Sequence, residues 1–286
     1  MDSMIKVGVV GAGMMGGEIA LCFAMAGSEV YLKDINLELA QKGKSNLTLA
    51  LDKLIKKGKF SPEDRERTLS RIVPVEIYDY FKDRDLVVEA VIEDLETKKR
   101  VFREIDAICK PDCIFATNTS SISITLLATS VGPLRVRKFL GTHFFSPASV
   151  MKLVEVIPGL ETEENTVTFA MECCRKIGKT PIRVRDVVGF AVNRILHAMW
   201  IEANRLVEEG VASMDDIDTA CKLGLGHPIG PYALMDLTGN DLNLRVQEIL
   251  FEAYGERFKP RPVLKQKVFA NHLGRKTGRG WFEYEK

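Results

Sequence analysis

From Met4 to about Val184, short apolar runs alternate with longer stretches in which apolar residues recur at helical spacing. Stretches 37–57 and 96–108 are amphipathic in this way and predict helices. The apolar runs predict strands, and their sequences are IKVGVV, EVYLK, DLVVEA, CIFATN, FLGTHFF, VMKLVEV and TPIRV. Strands that alternate with helices indicate an α/β fold whose central sheet is parallel.

The pattern changes after Arg185, where apolar residues keep helical spacing and no convincing strand alternation remains. We therefore predict an α/β domain over residues 1–185 and a smaller all-helical domain over residues 186–286. Two helix starts are marked by a serine that acidic residues follow closely, at Ser61 and Ser213. These local signals agree with the division into two domains.

The composition excludes several classes of protein. With 40 basic and 39 acidic side chains, the formal net charge of +1 offers no electrostatic surface for nucleic acid or an anionic membrane. An apolar run begins almost at the N-terminus and leaves no room for a signal peptide, and no window approaches the roughly 18 apolar residues of a membrane helix. The six cysteines lack zinc-site spacing and predict reduced, mostly buried thiols. We therefore expect a cytoplasmic protein that holds no metal.

The first predicted strand leads directly into a glycine-rich turn, and a helical pattern follows the turn. In this setting Gly11 permits a tight turn, Gly13 lets the backbone approach a pyrophosphate, and Gly16 lets the helix pack on the strand. A methyltransferase-like turn or a purely structural one would show the same glycines. The context favours a dinucleotide site whose candidate residues are Gly11, Ala12, Gly13, Met14, Met15 and Gly16.

An acidic residue stands where the second predicted strand ends. Asp34 is at the distance from the glycine turn at which a carboxylate accepts hydrogen bonds from an adenosine ribose and repels a 2′-phosphate. The next residues, Ile35 and Asn36, supply no arginine to hold such a phosphate. The sequence therefore predicts a Rossmann-type, doubly wound domain that binds NAD rather than NADP.

The chain has four histidines, so few side chains are candidates for an acid-base group that titrates near neutral pH. His143 lies in a predicted strand, and Glu155 lies in the next strand on the same face as Leu153 and Ile157. An unpaired charge there would be costly, and a chain reversal near Ser149 would bring the two side chains opposite each other. Such a pair could orient and charge the imidazole for proton transfer. A satisfied core histidine and a glutamate that faces water would fit the same spacing.

Several motifs occur in the order and spacing of the L-3-hydroxyacyl-CoA dehydrogenase family, which includes the 3-hydroxybutyryl-CoA dehydrogenases. They are GAGMMG, TNTSSISI, HFF with a proline two residues on, MKLVEV, GFAVNRIL, GHPIGPYALMD and GRKTGRGWFEY. The similarity covers essentially the whole chain, and several ordered motifs are harder to meet by chance than one glycine turn. The chain thus resembles this family along its whole length.

The resemblance implies an NAD-dependent oxidation of a short-chain (S)-3-hydroxyacyl-CoA, with His143 as the general base and Glu155 as its partner. Ser120 then binds the reacting oxygen and also touches the cofactor, and Asn193 binds the acyl group of the substrate. Without the resemblance, Ser120 could equally be a helix N-cap, and Asn193 a polar residue at the domain junction. The family also implies a homodimer joined through the helical domain.

Further family positions are less distinctive. The resemblance implies that Glu93 and Lys98 touch the cofactor and that Lys57 lies near the phosphates of coenzyme A, although solvated charges at helix ends would look the same. Where the family commonly has an asparagine that contacts the cofactor, this chain has Ser146. Ala148 and Ser149 also replace the usual bulkier residues, so we expect the pocket beside the acyl chain to have a different shape.

Two other functions fit parts of the sequence. One keeps the fold and the cofactor but oxidises a free hydroxy acid or sugar acid, and a requirement for the CoA moiety would distinguish the two enzymes. The other is a non-catalytic nucleotide-binding or structural protein with the same fold. The joint presence of Ser120, His143, Glu155 and Asn193 argues against the second alternative.

Overall fold

Within residues 5–58 and 60–285, which the computed structural model describes, eight strands form one sheet. Their limits are β1 Lys6–Val10, β2 Glu29–Lys33, β3 Ile72–Val75, β4 Leu86–Glu89, β5 Ile114–Thr117, β6 Phe139–Phe144, β7 Leu153–Pro158 and β8 Thr180–Arg183. Across the sheet the order is β3-β2-β1-β4-β5-β6-β7-β8. Neighbouring strands are parallel except for β6 and β7, which are antiparallel.

The strand order reverses beside β1, because the chain runs outward through β2 and β3 and then returns to β4 on the other side of β1. This is the topology of a Rossmann-type doubly wound sheet, and it confirms the predicted fold class. Ligands of such folds bind at the carboxyl ends of the strands, next to the point of reversal. The residues that follow β1 and β4 are therefore the place to look for a site.

Six helices pack with this sheet, and they are α1 Met14–Met25, α2 Leu37–Lys56, α3 Pro62–Ser70, α4 Leu95–Asp106, α5 Ile124–Ala128 and α6 Glu164–Lys176. The core lies between sheet and helices, where Val9, Leu32 and Ile19 have no exposed surface. The two amphipathic stretches predicted as helices correspond to α2 and α4. The side chain of Ser61 accepts a hydrogen bond from the amide of Asp64, so the predicted cap of α3 is confirmed.

The strand predictions were wrong in two places. They omitted β3, whose sequence IVPV contains Pro74. A proline cannot donate to a ladder and is tolerated at an edge, and β3 is an edge strand. They also began the sixth predicted strand, which corresponds to β7, at Val150, whereas β7 begins at Leu153 because the residues before it form a loop.

A second unit begins at Val188 and consists of helices. They are α7 Val192–Glu208, α8 Met214–Gly224, α9 Pro231–Thr238, α10 Asn240–Tyr254 and α11 Pro262–Phe269. Trp200, Tyr232, Leu264 and Trp281 fill its core. The predicted cap of α8 is confirmed, since the Ser213 side chain accepts a hydrogen bond from the Asp216 amide.

The first unit ends at Val187. Asp186, which the sequence prediction assigned to the helical domain, caps α5 of the first unit. Its carboxylate accepts hydrogen bonds from the amides of Ile124 and Thr125 and from the hydroxyl of Ser123. These contacts keep Asp186 with the sheet.

Residues 5–58 and 60–285 contain neither a candidate membrane span nor a candidate metal site. None of the helices in these ranges is long and apolar enough to cross a membrane. The same residues hold no group of three His, Cys, Asp or Glu side chains that could bind a metal ion. The six cysteines are free thiols, five of them buried and Cys221 half-buried.

Candidate active site

The glycine turn between β1 and α1 has the geometry that a bound pyrophosphate needs. Gly11 has a φ of 99°, and a Cβ there would lie 2.5 Å from the Ala90 carbonyl oxygen. A Cβ on Gly16 would overlap the Gly11 carbonyl oxygen, so the helix can approach the strand only because Gly16 has no side chain. Gly13, by contrast, has open space on its side-chain side.

The start of α1 is open to an anion. Its N-cap residue is Gly13, which supplies no side-chain hydrogen bond, and the first turn carries no acidic residue. The first amide groups of a helix lack partners within the helix, and the helix dipole favours negative charge there. The turn and helix therefore fit a dinucleotide phosphate.

Asp34 follows β2 directly and is half-buried. Its Oδ2 accepts a hydrogen bond from the Ala12 amide at 2.6 Å, and its Oδ1 accepts one from the Ile35 amide at 2.7 Å. The carboxylate thus joins the end of β2 to the glycine turn. This places it at the edge where the ribose of a dinucleotide bound at the turn is recognised.

A buried ion pair lies beneath the loop that follows β4. Glu89 and Lys98 have no exposed side-chain surface, and Lys98 Nζ lies 2.7 Å from Glu89 Oε1. Glu89 also accepts hydrogen bonds from the Val91 amide at 2.7 Å and from the Thr117 hydroxyl at 2.6 Å. Lys98 is therefore not the solvated charge that a helix end would present.

Glu93 holds the turn that follows β5. Its Oε1 accepts hydrogen bonds from the Thr119 hydroxyl at 2.5 Å, the Ser120 amide at 2.9 Å and the Ser121 amide at 3.1 Å. Burial alone would raise the pKa of the Glu93 carboxyl, but Lys98 and these hydrogen bonds outweigh it and lower the pKa. The ionised carboxylate is thus favoured, and it fixes the backbone at Ser120.

Ser120 itself is exposed and does not cap a helix. The N-cap of α5 is Ser123, whose hydroxyl accepts a hydrogen bond from the Leu126 amide. The N-cap interpretation of Ser120 is therefore wrong. Its side chain stands at the carboxyl end of the sheet, after β5.

His143 and Glu155 are directly opposite each other in the antiparallel pair of β6 and β7. His143 Nδ1 lies 2.7 Å from Glu155 Oε2, and the two side chains are 6% and 0% exposed. The pairing expected from a chain reversal near Ser149 is present, and Glu155 does not face water. The His143 ring also contacts Phe145, with 4.6 Å between the ring centroids.

The loop after β6 carries the departures from the family pattern. Ser146 is exposed, and its hydroxyl oxygen lies 3.7 Å from the sulfur of Met14 in the glycine turn. Ala148 is buried in the hydrophobic core, so its small size matters for packing. Ser149 is half-buried and donates its amide hydrogen to Glu18 at 3.0 Å.

The parallel strands bring most of the candidates to one edge of the sheet. Asp34, Glu93, Ser120 and Ser146 each follow the carboxyl end of a strand, as the glycine turn does. Carboxyl ends of parallel strands share one edge, so these residues lie along the same edge of the sheet. Lys57 is exposed just after α2, and Asn193 is half-buried in the first turn of α7, in the second unit.

Sequence reasoning missed several residues that shape this edge. Glu89 could have been found, because a carboxylate inside the apolar run DLVVEA is the same signal that identified Glu155. Asn118, whose side-chain oxygen accepts the Phe144 amide hydrogen at 2.9 Å, gave no comparable signal. Its contact joins strands that are far apart in sequence.

The chain is similar to known proteins over nearly its whole length. Residues 6–187 match the family model of the 3-hydroxyacyl-CoA dehydrogenase NAD binding domain, and residues 189–284 match that of the C-terminal domain. A probable 3-hydroxybutyryl-CoA dehydrogenase of Deinococcus radiodurans is 43% identical over 98% of this chain and all of its own length. A 3-hydroxybutyryl-CoA dehydrogenase of Clostridioides difficile is 42% identical over 99% of this chain and all of its own.

A solved structure gives the same result for the fold. The (S)-3-hydroxybutyryl-CoA dehydrogenase PaaH1 from Ralstonia eutropha superposes with a TM-score of 0.94 at 42% identity, over 99% of this chain and all of that one. Both domains of the family are therefore present in their usual order, with the dinucleotide turn and the histidine–glutamate pair in the first. The chain belongs to the 3-hydroxyacyl-CoA dehydrogenase family of NAD-dependent dehydrogenases.

Proposed function

We propose that this protein catalyses the reversible, NAD-dependent oxidation of a short-chain (S)-3-hydroxyacyl-CoA, 3-hydroxybutyryl-CoA, to the 3-ketoacyl-CoA. The buried contact of 2.7 Å between His143 Nδ1 and Glu155 Oε2 carries the proposal. A proton acceptor that is oriented and charge-stabilised in this way is what removal of a hydroxyl proton requires. The names of the similar proteins support the substrate.

His143 takes the proton of the 3-hydroxyl group in this scheme. Because Nδ1 faces the Glu155 carboxylate, we assign the proton transfer to Nε2. As the O–H bond breaks, its electrons form the carbonyl, and the hydrogen on C3 leaves with its electron pair. The imidazolium that results is stabilised by the charge of Glu155 at 2.7 Å.

NAD, when bound, accepts the hydride that leaves C3. We propose that the open start of α1 and the glycine turn hold its pyrophosphate, and that Asp34 binds the adenosine ribose. The resemblance to the family adds Ser146, Glu93 and Lys98 as cofactor contacts. In this structure Lys98 is fully buried, so its contribution would be to hold Glu89 and Glu93 in place.

The substrate contacts rest on the resemblance. We propose that Ser120 donates a hydrogen bond to the reacting oxygen, on a backbone that Glu93 fixes. We propose that Asn193 binds the acyl group of the substrate and that Lys57 binds the phosphates of coenzyme A. An oriented donor to developing charge contributes a factor of about 10² to 10³ in rate.

The test is reduction of acetoacetyl-CoA by NADH, followed as loss of absorbance at 340 nm. We expect turnover with acetoacetyl-CoA and none with free acetoacetate. Activity on both compounds would favour the dehydrogenase of free hydroxy acids. No reaction with either, in folded protein that binds NADH, would contradict the proposed function.

Cofactor choice has a separate test. The Asp34 carboxylate should repel the 2′-phosphate of NADPH, so we expect a fluorescence titration to give a Kd at least tenfold lower for NADH. An Asp34→Asn variant should bind NADH more weakly and should no longer repel the 2′-phosphate of NADPH. The two Kd values should therefore lie closer together. Equal affinities of the unaltered protein for the two cofactors would contradict this assignment.

Assembly and location extend the same proposal. The resemblance supports a homodimer joined through the helical domain, with residues 1–185 as the NAD-binding domain. Light scattering after size-exclusion chromatography should give twice the chain mass of 32.0 kDa. A cytoplasmic location stays a prediction from the sequence.

A further inference from the structure

The loop between β6 and β7 follows the strand of His143 and carries Ser146. Its own hydrogen bonds form only one turn, in which the amides of Val150 and Met151 donate to the Pro147 oxygen at 3.0 and 2.9 Å. The side chains of Val150 and Met151 are 61% and 42% exposed. Other parts of the first unit must therefore fix the backbone of this loop.

Lys179 is one of the groups that do so. It immediately precedes β8 and is 7% exposed, and its Nζ donates hydrogen bonds to the carbonyl oxygens of Ala148 and of Met151, the latter at 2.9 Å. The thiol of Cys22 donates to the same Ala148 oxygen at 3.4 Å. A buried ammonium group is costly to desolvate, so its presence needs these acceptors.

Glu18, whose charge is opposite to that of Lys179, also holds the loop. Its Oε2 accepts hydrogen bonds from the Ser149 amide at 3.0 Å and from the Ser149 hydroxyl at 3.4 Å. Glu18 lies on α1, one turn after Met14 and Met15 of the glycine turn. The helix that begins at the dinucleotide turn therefore also holds the loop that follows His143.

Lys179 and Glu18 both act on the Cys22 thiol, which itself contacts the loop at the Ala148 oxygen. Burial raises the pKa of the Cys22 thiol, with Lys179 lowering it and Glu18 raising it. A lysine and a glutamate from different elements thus surround one short backbone segment. Neither residue is required by the sheet ladder, and both bind loop atoms instead.

We propose that Lys179 and Glu18 are positioning residues for the dehydrogenase reaction, which hold the 146–151 loop in register with the glycine turn and with His143. This inference rests on the proposed function. Displacement of reacting groups by about 1 Å can cost on the order of 10²-fold in rate. Release of this loop should therefore change turnover, beyond any effect on stability.

Three variants test the inference. Lys179→Met keeps the length of the side chain and removes its charge, and Lys179→Arg keeps the charge. Glu18→Gln is a milder change that keeps the size of the side chain and removes its charge. Lys138→Met is the matched control, because Lys138 Nζ also donates to a carbonyl oxygen, that of Pro111, and lies just before β6, at the opposite end of this strand from the loop. Hydrogen exchange of the 146–151 amides in ligand-free protein reports on the loop. The kcat and KM for acetoacetyl-CoA and the Kd for NADH report on function.

We expect Lys179→Met to speed amide exchange in the loop and to lower kcat about 10- to 100-fold, by the misplacement just described. Lys179→Arg should restore most of the rate, and Lys138→Met should match the unaltered protein. If Lys179→Met does not fold, Glu18→Gln should still speed exchange at Ser149 and lower kcat several-fold.

Unchanged exchange in a folded Lys179→Met protein, or faster exchange with an unaltered kcat, would overturn the inference. If Lys179→Met is unfolded, the same results for Glu18→Gln would overturn it. The failure of the proposed function looks different, because the unaltered protein would then not reduce acetoacetyl-CoA at all. Faster exchange in the variants would in that case still show that Lys179 and Glu18 hold the loop. The loop would then have no part in the proposed reaction.

Discussion

In the first unit, the buried charged side chains of the candidate site and of the loop after β6 have partners of opposite charge or several hydrogen bonds. Glu89 pairs with Lys98, His143 pairs with Glu155, and Lys179 is bound by loop carbonyl groups. In the core of the second unit, by contrast, some buried polar atoms have no hydrogen-bond partner within residues 5–58 and 60–285. They belong to His197, Trp200, Asn204 and Gln247.

The second unit does satisfy other buried polar groups. Asp236 accepts hydrogen bonds from the amides of Trp281 and Phe282, and Asn240 accepts one from the Trp281 indole at 2.8 Å. These contacts attach the C-terminal segment to α9 and α10. Within the second unit, the unpaired atoms therefore lie on the face where α7 meets α10. In the first unit, Arg65 Nε and the Thr142 hydroxyl lack a hydrogen-bond partner among the described residues as well.

The difference reflects what each region has to do. Proton transfer requires fixed geometry, and a fully connected polar network supplies it. An unpaired buried polar group costs about 1–3 kcal/mol and fixes nothing. The first network should therefore control activity, while the second group of side chains should control only the stability of the helical unit.

Glu155→Gln should have the largest effect. The amide keeps the size of the side chain but removes the charge that stabilises the His143 imidazolium, so kcat should fall about 10²- to 10⁴-fold, with an unaltered Kd for NADH. Glu164→Gln removes the same charge from an exposed pair with Arg183 and serves as the control. A kcat of Glu155→Gln within a few-fold of the control would refute the pair.

Lys98→Met should come next. It leaves the Glu89 carboxylate buried without its cation and should lower the free energy of unfolding by about 3–5 kcal/mol, measured by urea titration with circular dichroism. The double variant with Glu89→Gln should recover at least half of this loss. Lys82→Met breaks an exposed pair with Asp79 and should change stability by less than about 1 kcal/mol. An equal loss of stability in Lys98→Met and Lys82→Met would show that burial of the ion pair makes no difference.

Acid should destabilise the second unit through His197. Burial lowers the pKa of this histidine to about 4, whereas the unfolded chain binds the proton near pH 6.5. Above that pH the residue is neutral in both states, and its effect is zero. As the pH falls from 6.5 to 4, the unfolded state binds more protons and stability falls by up to about 3 kcal/mol.

Tryptophan fluorescence can follow this loss, because Trp200 and Trp281 both lie in the second unit. His197→Phe lacks the titrating group, so its urea midpoint should vary less with pH over the same range. Parallel pH dependence in the two proteins would show that the histidine is not responsible.

The smallest effect is expected from removing unpaired polar groups. The double variant Asn204→Leu, Gln247→Leu should raise the free energy of unfolding by about 1 kcal/mol, since neither amide has a partner to lose. Asn240→Leu should instead lower it by about 2 kcal/mol, because that amide is fully bonded. A loss of stability in the double variant would mean that these amides do have partners in solution.

Much of the fold followed from local patterns. The alternation of apolar runs and helices predicted the α/β sheet, and capping signals located the starts of α3 and α8. Pro74 obscured β3, since the edge position that tolerates a proline is a property of the assembled sheet. That β7 runs antiparallel to β6 could be predicted only because a buried Glu155 needs a partner.

By itself, the sequence determined the features that depend on short spacings along the chain. The glycine turn, Asp34 at the end of β2, and the pairing of His143 with Glu155 follow from backbone geometry and the two-residue period of strands. Only the tertiary structure decided that Lys98 is buried against Glu89 and that Glu93 fixes the turn of Ser120. It also decided that Glu18 and Lys179 hold the loop after His143. These contacts join segments that are distant in the chain, so they depend on which strands are neighbours and which helices cover them.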